Sequence, residues 1–236
     1  MKNVVVLQSN YIPWKGYFDL IHDADLFVFY DDLQFTKNDW RNRNKIKTQN
    51  GCEWLTIPVG ANEKRLICEV EIKDSAWQIK HWKSIHQCYG KSDYFLNYKD
   101  IFEHVYLEQR WASLSVLNQY LICLISNNIL NIKTEFKDSR EYDLSGKKLD
   151  RLLELVVKTG ATRYISGPAA KDYIDPARFV DAGIDLVWKE YSGYPEYPQR
   201  FPPFEHGVSI LDLLFNVGPD APWYIWGWRD DENRLA

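Results

Sequence analysis

Five short stretches of this chain carry residue types that could hold a ligand or move a proton. The first follows the apolar run Val4–Leu7 and contains Gln8, Asn10, Tyr11, Pro13, Trp14 and Gly16. Side-chain amides placed directly after a strand can donate and accept at a ligand. Pro13 stiffens such a loop, and Gly16 lets backbone approach closely. The plain alternative is a polar turn that caps its own backbone. The second stretch is Asp31-Asp32-Leu33-Gln34. Adjacent carboxylates after a buried strand can hold a metal or act as a base. Neighbours in an extended chain point opposite ways, so one of them faces a site, and Asp32 is taken for that role. Turn acids or a helix cap would look the same.

The third stretch runs from Trp40 to Lys47. If it is extended, Trp40, Asn42 and Asn44 share one side, while Arg41, Arg43, Lys45 and Lys47 line the other. A row of cations is a natural clamp for a diphosphate, since Arg offers a fork to phosphate oxygens. The amides and the ring opposite suit sugar hydroxyls and stacking. The competing reading is a basic edge that discourages sheet pairing. The fourth is His81, between Lys80 and Lys83. On a helix over 77–89 it falls at the border of the apolar face, shielded yet reachable, as a titrating base requires. The nearby lysines would depress its pKa by repulsion. His86 falls within that face and reads as a core residue. The fifth is Ser166-Gly167-Pro168-Ala169-Ala170-Lys171, where small residues leave backbone amides open to an anion and Lys171 could complete the site. A tight turn before a helix is the bland equivalent. Ser145-Gly146-Lys147-Lys148 lacks the upstream glycine of a P-loop.

The elements that must position these residues alternate in type. Strands are expected over 4–7, 26–30, 53–59, 68–72, 163–166 and 184–188, with 53–59 and 68–72 forming a hairpin. Helices are expected over 17–22, 77–89, 113–126 and 145–158, with short ones after Asp175-Pro176 and Ser209. The opening strand, loop, helix and strand make a βαβ start, which places stretches one and two beyond the strands' carboxyl ends. The pattern predicts one α/β domain over 1–218, with a small helical subdomain at about 75–130. The tail 219–236, with Trp223, Trp226 and Trp228, is expected to dock on that domain.

Bulk properties narrow the function. A net charge of −4 argues against a general nucleic-acid or membrane-surface role, so any anion site must be local. Cys52, Cys68, Cys88 and Cys123 form no CxxC pair and suggest neither zinc nor a redox dithiol. Their scatter fits a reducing compartment. The first apolar run stops at Gln8, too short for a signal peptide, and no stretch approaches the roughly 18 apolar residues of a membrane span. A cytoplasmic location is the expectation.

Longer motifs tie the stretches together. They are 8–18 (QSNYIPWKGYF), 27–35 (FVFYDDLQF), 40–47 (WRNRNKIK), 54–59 (WLTIPV) and 80–85 (KHWKSI), then 164–173 (YISGPAAKDY), 197–199 (YPQ) and 209–216 (SILDLLFN). In this order they resemble the WbqC-like family, with Ser9 where that family usually has Pro. The beginning also resembles nucleotidylyltransferase-like Rossmann folds, although the His-x-x-His-type motif is missing. The resemblances imply a Rossmann-like α/β fold, here expected as a mixed sheet with flanking helices, and a role in surface-polysaccharide or lipopolysaccharide synthesis.

On that basis the leading expectation is a transferase that adds an acyl or aminoacyl group to a nucleotide-linked amino sugar. Arg41, Arg43, Lys45 and Lys171 would hold the diphosphate, with Ser166 and Gly167 beside them. Gln8, Asn10, Gln34, Asn42 and Asn44 would read polar groups, Tyr11, Trp14 or Trp40 would stack, and His81 or Asp32 would take the amine proton. The donor would be acyl-CoA or an aminoacyl carrier, aminoacyl-tRNA included, with no resident metal. One rival is a Mg²⁺-dependent glycosyl- or nucleotidyl-transfer enzyme using Asp31 and Asp32. Another is a non-catalytic protein that binds a glycan intermediate. A homo-oligomer is compatible with each.

Overall fold

The computed structural model describes residues 1–235. Its elements run β1 (Asn3–Leu7), α1 (Lys15–His22), β2 (Leu26–Phe29), β3 (Arg43–Thr48), β4 (Gly51–Thr56), α2 (Ala76–Tyr89), α3 (Phe95–Glu103) and α4 (Leu114–Leu124). There follow β5 (Glu135–Asp138), α5 (Lys148–Lys158), β6 (Arg163–Ser166), α6 (Pro176–Asp181), β7 (Asp185–Trp188), α7 (Ile210–Val217) and α8 (Trp228–Leu235).

Val4, Val5 and the whole of β2 are fully or nearly fully buried, as strands covered on both faces must be. They form the middle of a five-stranded sheet ordered β5-β2-β1-β6-β7. Every pairing in it is parallel, with Val5 opposite Phe27 and Val4 opposite Tyr164. Alternation along the strands separates two cores. Val5, Phe27 and Phe29 face the side covered by α1, α2, α4 and α7. Val4, Val6, Leu26 and Val28 face the side covered by α5 and α6. The arrangement is the Rossmann-like α/β class. Helices α2, α3 and α4 share the first of these cores with the sheet.

The antiparallel strands stand outside the main sheet. β3 and β4 form their own hairpin, Lys45 opposite Trp54, turning at Gly51 with φ +107°, a backbone state that favours glycine. The expected pairing of 53–59 with 68–72 does not form. Glu53 and Trp54 pair back onto β3, and Ile67–Glu69 winds into a single 3₁₀ turn. Two elements, β5 and α3, escaped the sequence reading, and β3 entered it only as a conditionally extended stretch. β3 hides its buried residues Asn44 and Ile46 among cations. β5 is the polar edge strand Glu-Phe-Lys-Asp, and α3 has a mixed surface.

The chain after α7 returns to α1. Trp226 stacks on His22 with ring centroids 4.0 Å apart, and Arg229 forks both oxygens of buried Asp19 at 3.0 and 2.7 Å. Lys189 also reaches Asp19, at 2.8 Å. Among the described residues no helix is long and apolar enough to cross a membrane.

Candidate functional site

From β1 the chain steps outward through β2 to β5, then returns across the sheet to β6 and β7. β1 and β6 are therefore neighbours whose connections leave in opposite directions, and a crevice opens beyond their carboxyl ends. A cavity of about 710 Å³ lies there. Gln8, directly after β1, and Ser166 and Gly167, at the end of β6, line it. Much of its wall is apolar, including Leu33, Leu149 and Leu152, and Tyr30 and Tyr173 add phenol rings. Arg41 and Lys148 supply the cationic groups of the lining. Burial pushes the Tyr30 phenol up to about 12, so it is a neutral hydrogen-bonding group.

Two backbone contacts fix Arg41. The Trp40 carbonyl accepts from Tyr11 N at 2.9 Å, and the Arg41 carbonyl accepts from Asn118 Nδ2 on α4 at 2.8 Å. One guanidinium nitrogen pairs with Asp39 at 2.5 Å. Arg41 Nε is buried and has no hydrogen-bond partner. A buried donor left unpaired is costly, and an oxygen-bearing ligand would relieve it. Lys148 is exposed at the start of α5 with φ +51°. The preceding turn is not an anion loop, because Glu154 already accepts from the backbone amides of Ser145 and Gly146 at 3.0 and 2.9 Å.

A second cavity of about 370 Å³ lies on the other side of the 8–16 loop, lined by Asn10, Pro13, Trp14, Trp40, Asn44 and Gly207. Asn44 anchors the loop. Its Nδ2 donates to the carbonyls of Tyr11 and Ile12 at 3.1 and 2.8 Å, and its Oδ1 accepts from Lys45 N.

Several expected site residues are placed otherwise. His81 is 5% exposed and lines neither cavity. Its Nε2 donates to the Thr56 carbonyl at 3.2 Å, so Nδ1 of the neutral ring accepts from Tyr11 OH at 2.8 Å. Tyr11 OH in turn accepts from Tyr106 OH at 2.6 Å. Desolvation lowers the His81 pKa to about 4, against the bond to Thr56. Both ring nitrogens are occupied and neither cavity reaches the imidazole, so a role as base would require this network to open. The lysines expected to tune it are exposed, whereas burial sets its state. Tyr11 is fully buried in the same network and lines neither cavity.

Asp32 is ion-paired with Arg151 of α5 and accepts from Ser139 Oγ at 2.6 Å. Asp31 is fully buried and accepts from Ser9 N at 2.8 Å, Ser115 Oγ at 2.5 Å and Gln119 Nε2 at 3.0 Å. These carboxylates staple α4 and α5 to the sheet edge. No three His, Cys, Asp or Glu side chains cluster as a metal site among the described residues.

The four-cation row also divides. Arg41 precedes β3, where the chain turns, and so leaves the row. Arg43 lies 4.1 Å from the Trp54 ring centroid and Lys45 5.4 Å from it, on the face away from Asn42 and Asn44. Lys47 is buried and donates to the Pro203 carbonyl. Asn42 is 4% exposed, donates to the Ile57 carbonyl at 3.1 Å and lines neither cavity. Gln34 is exposed in an isolated bridge to Leu66 and lines neither cavity. Lys171 is exposed, with Nζ 5.7 Å from the Trp188 ring centroid, outside the cavity lining.

Sequence reasoning passed over Lys148, which the missing P-loop pattern had set aside, and Lys15. Lys15 is 3% exposed and sits between the rings of Tyr194 and Tyr197, 4.9 and 5.3 Å from their centroids. Desolvation lowers its pKa to about 8, against the attraction of Asp19. Only the Trp14-Lys15-Gly16 context hinted at it.

Fold and cavity together define an α/β protein with a crevice at the switch point of a parallel sheet. Comparison with known proteins gives the family: the model of the WbqC-like protein family matches residues 8–224, and the chain belongs to that family. It is 44% identical over 227 residues to Uncharacterized protein Rv1507c of Mycobacterium tuberculosis (strain ATCC 25618 / H37Rv), covering 95% of this chain and 98% of that protein. No solved structure matches the chain.

Proposed function

We propose that the switch-point cavity binds a nucleotide-linked amino sugar and that the protein transfers an acyl or aminoacyl group to the sugar amine, in surface-polysaccharide synthesis. The observation that carries the binding half is Arg41: a buried guanidinium nitrogen without a partner, beside Gln8 at the carboxyl end of β1. A phosphate oxygen supplies the missing acceptor, Lys148 adds a second positive charge, and the apolar and phenolic walls suit a ring.

The chemistry follows from positioning. The amine attacks the acyl carbon, a C–N bond forms, the bond to the donor's thiolate or alkoxide leaving group breaks, and the amine proton passes to that group. Holding both reactants in one crevice supplies much of such a rate enhancement without a dedicated base. The carboxylates and imidazole first considered as bases are tied up elsewhere. That same observation favours one second reading, a protein that binds the nucleotide-linked sugar and presents it to a partner enzyme.

The test is a thermal-shift screen with nucleotide-linked sugars, with and without Mg²⁺, followed by a transfer assay with acyl-CoA and aminoacyl donors. A ligand at about 100 times its Kd should add roughly 2.7 kcal/mol of stability. Arg41→Met should weaken that ligand about tenfold or more, near 1.4 kcal/mol. No shift from any nucleotide-linked sugar would overturn the reading. Binding without transfer would leave the presenting protein.

A further inference from the structure

The geometry points to a second, separate ligand site: the cavity between Trp14 and Trp40 binds an uncharged polyhydroxylated ring, such as a pyranoside. It shares no lining residue with the switch-point cavity, so the inference does not rest on the function proposed above.

Four observations carry it. First, Asn10 lines this cavity, and its buried Oδ1 has no hydrogen-bond partner. A side-chain amide both donates and accepts, and turning about its last bond exchanges the two ends, so it matches a hydroxyl, which does both. Second, no acidic or basic side chain lines the cavity, which selects a neutral ligand. Third, the aromatic walls differ in exposure. Trp14 is held edge-on by Tyr191 and Tyr194, with centroids at 5.3 and 6.0 Å, whereas Trp40, tilted against Trp54 at 5.3 Å, is 41% exposed. The C–H bonds on one face of a pyranose carry partial positive charge and rest well on the negative face of an indole. A fixed wall with an exposed indole beside it is what such a ring needs.

Fourth, the loop is held in a strained form. Ile12 has φ +37°, an outlier for a β-branched residue, and buried Asn44 grips the carbonyls on both of its sides of entry, Tyr11 and Ile12. The strain sits between Asn10 and Trp14, the two residues that the loop delivers to the cavity. Strain that surrounding structure enforces gathers at ligand sites.

The experiment is saturation-transfer NMR on the full chain with a panel of methyl pyranosides and with uridine as the flat-ring control. Transfer to the ring protons of at least one glycoside is expected, and it should fall about fivefold or more in Trp40→Ala and in Asn10→Leu. Asn10→Leu should also melt no lower than the wild type, because it removes a buried polar atom that has no partner. Nucleotide-linked sugar binding at Arg41, read by thermal shift, should be unchanged in both variants, so the two sites can fail independently. Transfer from no glycoside, transfer from uridine alone, or transfer that persists in both variants would each overturn the inference. A melting temperature well below wild type in Asn10→Leu would also overturn it, by showing that Asn10 serves the fold.

Discussion

Gln8 and Tyr11 belong to one loop, yet they end in opposite surroundings. Gln8 lines an open crevice, while Tyr11 is fully buried between His81 and Tyr106. Both regions hold groups able to do chemistry, and what separates Tyr11 and His81 from Arg41 and Asn10 is hydrogen-bond satisfaction. In the Tyr11 region the ring nitrogens of His81 and the hydroxyl of Tyr11 have protein partners. In the cavities, Arg41 Nε and Asn10 Oδ1 have none. Buried polar groups are normally paired, so a satisfied network reads as architecture and an orphan beside a cavity reads as a place for a ligand.

The sharpest way to break this contrast is to cut the satisfied network. His81→Ala removes two hydrogen bonds, takes the acceptor from the Tyr11 hydroxyl and the imidazole donor from the Thr56 carbonyl, and opens a void against Trp77. The expected cost is about 3–4 kcal/mol of folding stability, measured by urea unfolding. Affinity for the nucleotide-linked sugar should stay within about twofold under native conditions. Unchanged stability with lost turnover would restore His81 as the base.

The same residue predicts a pH effect nearly as large. Its folded pKa, about 4, lies below the ordinary 6.5. Between those values the unfolded chain takes up a proton that the folded protein refuses. Stability is therefore complete above pH 6.5 and falls as the pH drops toward 4, by about 3 kcal/mol in all. In His81→Gln, which cannot titrate, the unfolding free energy should lose about one proton's worth of slope across that window. An identical slope in both proteins would mean that the histidine is not sealed as described.

The contrast also marks what the sequence could convey. β1, β2 and β6 were legible because strands covered on both faces read as short apolar runs, and the half-buried edge strand β7 keeps the apolar run Leu186-Val187-Trp188. The motif Gln8–Gly16 was legible as a loop at the sheet edge, and Gln8, Ser166 and Gly167 do meet at one crevice. Their meeting depends on the chain crossing back after β5, which no local pattern encodes. The Arg41–Lys47 row was read with the correct alternation but the wrong consequence. Pairing with β4 turned Arg43 and Lys45 onto Trp54, and the turn before β3 sent Arg41 elsewhere. Asp31 and Asp32 looked chemical because carboxylates that staple helices and carboxylates that bind metals have the same sequence. The partners that distinguish them, Ser115, Gln119 and Arg151, lie more than 80 positions away.

The smallest expected effect concerns Lys148, and it sharpens the comparison from the cavity side. Unlike Arg41, this side chain is exposed, so its charge acts through solvent and the surrounding ions screen it. Lys148→Met should weaken a diphosphate-bearing ligand by about two- to fivefold, roughly 0.4–1 kcal/mol, with stability near that of the wild type. The loss should shrink further in high salt, whereas that of Arg41→Met should persist, because under the proposal Arg41 would meet the ligand with a buried donor and Lys148 with a screened charge. Isothermal titration of both variants at two salt concentrations measures this difference. Equal salt dependence would mean that Arg41 also acts as a screened charge, and its unpaired nitrogen would then no longer mark the ligand.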